Sequence, residues 1–241
     1  MKVDDKGWLV PDAGDPSVKR YPTVRTYALA TKEPLGNVWH TTDDVGGPNY
    51  GDLLAQRIQR YRPRVDRAAS WHLLIARNGT LFQSASFLVG TWHVGVGGVI
   101  AGRRFDNINH ATTGIELENA GRLTLLGEQA YRWPYFVDPQ APAPQRRPDP
   151  KCAVDRSRAV ATSAGWFDGF TLAQELSAGV VLRALVQRYG WTRETASYGH
   201  VEFDPAHRED PGPVWKQTVL PRVLEHAFGP VTKTEPAGVA G

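Results

Sequence analysis

Cysteine is nearly missing from this chain: Cys152 stands alone among 241 residues. That excludes an intramolecular disulfide framework and a cysteine-rich zinc finger. Long apolar runs are missing too. None approaches the roughly 20 residues that span a bilayer, so stable membrane insertion is not expected. The opening stretch, MKVDDKGWLVPDAGD, carries acids where a secretory signal needs an apolar segment, so no classical export signal is expected. Charge of one sign is also in short supply. Lys and Arg number 28 against 25 Asp and Glu, and an excess of +3 is too small to point to nucleic acid. Aromatics, by contrast, are plentiful. Eight Trp, eight Tyr and eight Phe give the chain enough to bury, which excludes wholesale disorder. The length fits one large domain.

Residues 1–36 are rich in Pro, Gly and Asp, show no clear period, and are expected to form an N-terminal arm packed on the domain. NVWHTT at 37–42 has the composition of a short strand. Asp52 can cap a helix whose Leu54, Ile58 and Tyr61 share one face, with Pro63 ending it. Residues 70–84 predict a hairpin turning at Asn78-Gly79 through a type I′ turn. In TGIELEN, 113–119, Ile115 and Leu117 alternate with Glu116 and Glu118. The Pro- and Arg-rich segment 137–168 is expected to be a surface excursion within a long insertion at about 122–170. Thr171 with Gln174 predicts a capped helix carrying Leu172, Leu176, Val180 and Leu185 and ending at Gly190. A last helix is expected over 214–228, and a flexible tail over 229–241. Strands alternating with helices, plus one hairpin, imply an α/β fold: a mixed central β-sheet flanked by helices.

Seven histidines are available: His40, His72, His93, His110, His200, His207 and His226. A catalytic zinc takes three protein ligands and keeps one position open. His40 ends a predicted strand. His200 opens GHVEFDPAHREDPGPVW, and Asp210 precedes Pro211-Gly212-Pro213, a turn able to aim a carboxylate back toward His200. From spacing alone, His207 competes with Asp210.

These stretches together resemble the zinc-dependent N-acetylmuramoyl-L-alanine amidases, the type two amidase family related to the peptidoglycan recognition proteins. The similarity rests on NVWHTT, WHLLIARNGTL, TWHVG, TTGIELEN and the terminal GH…R-x-DPGP, in that order, over about residues 36–215. It implies an amidase domain over 37–228 with zinc in a surface groove. It also implies cleavage of the amide between the lactyl group of N-acetylmuramic acid and the L-alanine of the stem peptide.

Residue by residue, the resemblance makes His40, His200 and Asp210 the zinc ligands and puts a non-ligand at His207. It selects Glu116 over Glu118 as general base. Arg208 stands where many members have a lysine that steadies the oxyanion, and its planar fork is a departure from that pattern. His72 and His93 each follow a Trp and are expected to orient ligands or, with Trp92 and Asn109, to line the substrate groove. The expected partner is peptidoglycan or a muropeptide, with no nucleic acid; the sequence names no protein partner. Other classes predict other things. A non-catalytic peptidoglycan-binding protein lacks a ligand, and here both Asp210 and Glu116 are present. A cytosolic muropeptide-recycling amidase has a compact chain, whereas the insertion carries Tyr131, Trp133, Tyr135, Phe136, Trp166 and Phe167. A lytic enzyme of the phage-lysin or effector kind, reaching the cell wall or periplasm by a non-classical route, is therefore expected.

Overall fold

The computed structural model describes residues 1–47, 49–60, 69–133, 137, 140, 142, 145 and 147–230. Its centre is a six-stranded mixed sheet. In spatial order the strands are Tyr198–Gly199, Gly36–Thr41, Thr112–Leu117, Leu73–Ile75, Leu81–Gln83 and Val18–Arg20. Only Leu73–Ile75 and Leu81–Gln83 run antiparallel; the other neighbours are parallel. The N-terminal arm is thus stitched into the fold, because Val18–Arg20 forms one edge of the sheet.

Each strand sends alternate side chains to opposite faces. One face carries Trp39, Leu73, Ile75, Leu81, Ile115 and Leu117 against Leu172–Tyr189 and the C-terminal helix. Trp39 and Trp215 pack there with ring centroids 4.8 Å apart, a pairing worth about 0.5–1.5 kcal/mol beyond its buried area. The other face carries Val38, His40, Leu74, Phe82, Gly114 and Glu116. Its two ends are covered differently. Ala55 and Ile58 of helix Tyr50–Gln59 cover Leu74 and Phe82, while Ile100 and Ile108 cover Val38. His40 and Glu116 lie between these covers.

Local details depart from the sequence expectations. Asn49, in the left-handed region at φ 61°, precedes helix Tyr50–Gln59; Asp52 lies inside the first turn and binds Lys19 Nζ at 2.8 Å and the Tyr21 hydroxyl at 2.6 Å. Tyr61 and Pro63 lie outside the described residues. The hairpin closes around three residues where two were expected. Ala76 N–H donates to Thr80 O at 3.0 Å, so the loop is Arg77-Asn78-Gly79 with only Gly79 at positive φ, the three-residue alternative to a type I′ turn. The capping box at Thr171 and Gln174 is present, and Gly190 ends the helix at φ 67°. The buried face of that helix is Ser177, Ala178, Val181, Leu182 and Leu185; Leu172 and Leu176 are exposed. The last helix starts earlier than expected, with Gly212–Val214, Trp215–Val219 and Leu220–Phe228 following without a break.

The larger departure is the insertion. It folds as a second, five-stranded antiparallel sheet built from Arg122–Leu126, Gln129–Arg132, Ala153–Val154, Ala159–Thr162 and Gly165–Asp168. Asp168 fastens it to the central sheet. Its buried carboxylate binds Arg77 at 3.2 Å, Arg158 Nε at 2.8 Å and the backbone N–H of Ala120 at 2.8 Å. Removing one partner of such a buried pair generally costs about 3–5 kcal/mol, because the other charge is left uncompensated. Among the described residues, no helix is long and apolar enough to cross a membrane.

Candidate metal centre and catalytic groove

Parallel pairing sets His40 directly opposite Glu116 on adjacent strands. The edge strand Tyr198–Gly199 pairs with Val38 and Trp39, so the next residue, His200, emerges beside His40. The chain then leaves through residues 201–209 and returns. Val201 N–H donates to Asp210 O at 3.0 Å, and this closure turns Asp210 back onto His200. Four residues distant in sequence are brought together by one register and one loop closure.

The donor atoms form a small triangle. His40 Nδ1 lies 3.1 Å from His200 Nδ1 and 3.1 Å from Asp210 Oδ2, and His200 Nδ1 lies 3.3 Å from Asp210 Oδ2. All three residues are buried. Zinc bonds to imidazole nitrogen and carboxylate oxygen are about 2.0–2.2 Å, and tetrahedral corners at that radius stand about 3.3 Å apart. The two-imidazole, one-carboxylate set therefore fits a zinc in both chemistry and spacing, and would supply the three protein ligands that a catalytic zinc takes.

The surrounding charges favour a cation. Burial, then the negative charges of Asp210 and Asp43, push Glu116 well above the usual carboxylate range, with Arg208 opposing them. Burial and Asp210 raise Asp43 to about 6, partly offset by the Thr41 hydroxyl, which donates to Asp43 Oδ1 at 2.9 Å. Burial also works to raise Asp210, but hydrogen bonds from the two imidazoles outweigh it and hold the group well below its ordinary value. Burial lowers His40, with Asp210 opposing. Three carboxylates thus crowd a partly dry site, an arrangement that a divalent ion relieves.

Beside Asp210 opens a cavity of about 320 Å³, lined by Thr41, Asp43, Arg122, Trp133, Phe167 and Arg208 among others. The insertion forms one wall of it. Arg208 is exposed at the mouth, and its charge acts on His40, Asp43 and Glu116.

A family model described as Amidase_2, N-acetylmuramoyl-L-alanine amidase, matches residues 30–213, well over half the chain. The chain belongs to this amidase family. None of the curated proteins matches the sequence of the amidase. Among solved structures it is similar to a selenomethionine derivative of AmpD, with 23% identity, 94% of this chain and 99% of that one covered, and a TM-score of 0.54. It is also similar to AMPDH3 from Pseudomonas aeruginosa (19% identity, 92% and 68% covered, TM-score 0.50). A mutant endolysin from Bacillus subtilis matches at 12% identity, 88% and 99% covered, with a TM-score of 0.50. At these identities the likeness is one of fold.

The other substrate-side expectations fare differently in the amidase. His72 is fully buried and both ring nitrogens are engaged: Nδ1 accepts from Gly114 N–H at 2.9 Å, and Nε2 donates to Val89 O at 2.8 Å. Burial lowers its pKa to about 4. The ring is enclosed, and its nitrogens are spent on backbone groups of the Gly114 and Val89 strands. Asn109 is likewise fully buried, its Oδ1 accepting from Val94 N–H at 2.8 Å. Trp92 is exposed but packs on Tyr27, with centroids 4.9 Å apart, and does not line the cavity beside Asp210. His93 is buried and touches His40 instead of the groove, its Nδ1 lying 3.1 Å from His40 Nε2. His207 is exposed, lies 2.8 Å from Asp204 Oδ1 and lines the cavity beside Asp210, but it is not among the clustered donors. Glu118 accepts from Arg77 N–H at 3.0 Å and takes no place among the donors. Sequence reasoning missed Asp43 and Thr41; the available signal was their place in the same HTTD run as His40.

Proposed function

We propose that the amidase is a zinc enzyme that degrades polymeric peptidoglycan at the cell wall or in the periplasm. Its bond is the amide between the lactyl group of N-acetylmuramic acid and the L-alanine of the stem peptide. The observation that carries the metal assignment is the triangle of His40 Nδ1, His200 Nδ1 and Asp210 Oδ2. Zinc held there supplies a water of lowered pKa and a polarised substrate carbonyl. Glu116, opposite His40 on the neighbouring strand, takes the proton of the attacking water and returns it to the leaving amine. Arg208 offsets the negative charge that grows on the carbonyl oxygen.

Arg208 is expected to act on the transition state more than on the bound substrate, because the oxyanion exists only after attack. Buried oxyanion donors are worth about 10²–10³ in kcat, and an exposed arginine belongs at the low end. Steady-state kinetics of Arg208→Ala should show kcat falling by about 10² with a smaller change in KM. A raised KM at unchanged kcat would instead make it a plain binding residue.

The preference for polymer is supported by the second sheet. Trp133 and Arg122 line the cavity beside Asp210, and Trp166 is exposed on the same sheet. Aromatic faces stack on sugar rings, and arginines pair with the carboxylates of stem peptides. Phe167 is buried and contributes only the floor. Tyr135 and Phe136 lie outside the described residues. Turnover on intact sacculi should exceed turnover on a soluble anhydromuropeptide. Hydrolysis of the soluble compound with sacculi untouched would make this a recycling enzyme.

A further inference from the structure

We propose that His93 is a positioning residue that fixes the metal-binding tautomer of His40 through a hydrogen-bond relay anchored on the carbonyl of Ile108. This rests on the zinc reading above and adds to it a device for setting metal affinity.

The direction of the relay follows from its anchored end. A carbonyl only accepts, so the Thr112 hydroxyl donates its single proton to Ile108 O at 2.8 Å. Toward His93 Nε2, at 3.4 Å, Thr112 Oγ1 is then an acceptor, and that nitrogen carries the ring proton. His93 is buried, and its hydrogen-bond partners include no carboxylate to hold an imidazolium, so its Nδ1 is bare. That atom accepts from His40 Nε2–H at 3.1 Å. His40 is left with a bare Nδ1, the atom that faces His200 Nδ1 and Asp210 Oδ2.

The competing tautomer puts the His40 proton on Nδ1, donating to Asp210. His40 Nε2 and His93 Nδ1 would then face each other as two lone pairs at 3.1 Å. Moving the His93 proton to cure this would leave its Nε2 facing a hydroxyl whose proton is already spent on Ile108. The relay is satisfied throughout in one direction only. It is also held tightly. A Cβ at Gly114 would stand 2.5 Å from His93 Cγ, so the ring lies flush against the Glu116 strand. His200 has no such brace: among the described residues its buried Nε2 has no partner.

Hydrogen-bond partners of metal-bound histidines typically tune affinity by 10–100-fold. Zinc dissociation constants should be measured on the full chain by competition with a chromophoric chelator. His93→Leu fills the space without an acceptor and should weaken zinc about 10–100-fold. His93→Asn keeps an acceptor near the Nδ1 position and should restore most of that loss, which mere space-filling would not do. Should His93→Leu fail to fold, Thr112→Val takes its place, with a several-fold loss expected against retention in His93→Asn. Wild-type affinity in His93→Leu, or in Thr112→Val when it stands in, overturns the relay, as does an Asn variant as weak as the Leu one. A wild-type chain that binds no zinc removes the zinc reading itself, so the two failures are distinguishable.

Discussion

Replacing Asp210 by Ala is expected to strip the metal and abolish hydrolysis together. Asp210 supplies the only anionic donor of the triangle, its Oδ2 lying 3.1 and 3.3 Å from the two imidazole nitrogens. Without it, two neutral rings remain, one short of the three protein ligands that a catalytic zinc takes. The loop itself should survive, because the contact that returns it to His200 is the backbone bond from Val201 N–H to Asp210 O, which alanine keeps. Loss of zinc would therefore report on coordination and not on misfolding. The check is the zinc content of dialysed protein, together with release of stem peptide from purified wall. Alanine at 210 with a full complement of zinc would remove Asp210 from the ligand set.

How much of this was legible beforehand depends on whether a feature is local. The Thr171–Gln174 cap and the Gly190 stop are local hydrogen-bonding and φ requirements, and they were found where the residue types put them. So was the alternation of Ile115 and Leu117 against Glu116. The opposition of Glu116 to His40 was not visible, because it depends on a parallel register between strands more than 70 residues apart. For the same reason the two Trp-His pairs looked alike. Only packing distinguishes His72, whose nitrogens are spent on backbone groups, from His93, which reaches His40.

The second sheet was hidden differently. Its strands are short, and several lie in a Pro- and Arg-rich stretch that reads as loop. They hold because Asp168 draws Arg77 and Arg158 together across the junction, a contact between segments about 90 residues apart. On the capped helix, Leu172 and Leu176 looked like the buried stripe. The C-terminal helix selects another: at Gly179 a Cβ would stand 2.7 Å from the ring of His226, so the helices meet along a small-residue seam.

Glu116→Gln is expected to keep the zinc and to lose about 10²–10⁴ in rate, the range of a general acid–base. Glu116 stands beside His40 in register but contributes no atom to the triangle of donors, so coordination should be untouched. The amide fills the same volume and cannot take a proton from water. Stability supplies a second readout. Burial and the charges of Asp210 and Asp43 raise the Glu116 pKa, so its ionised form is costly in the metal-free protein. A group whose folded pKa is raised above its unfolded value stabilises the fold at low pH and loses that contribution as pH rises. Metal-free Glu116→Gln should accordingly unfold no earlier than wild type at neutral pH, and its stability should fall less between acid and neutral pH. Activity sets the other limit. If Glu118→Gln is the inactive variant while Glu116→Gln turns over normally, the proton is handled by the other carboxylate of the strand. The structure makes that outcome hard to reach, because Glu118 is already committed to the backbone N–H of Arg77. The Glu116 carboxylate, by contrast, makes no hydrogen bond among the described residues and is free to meet a water.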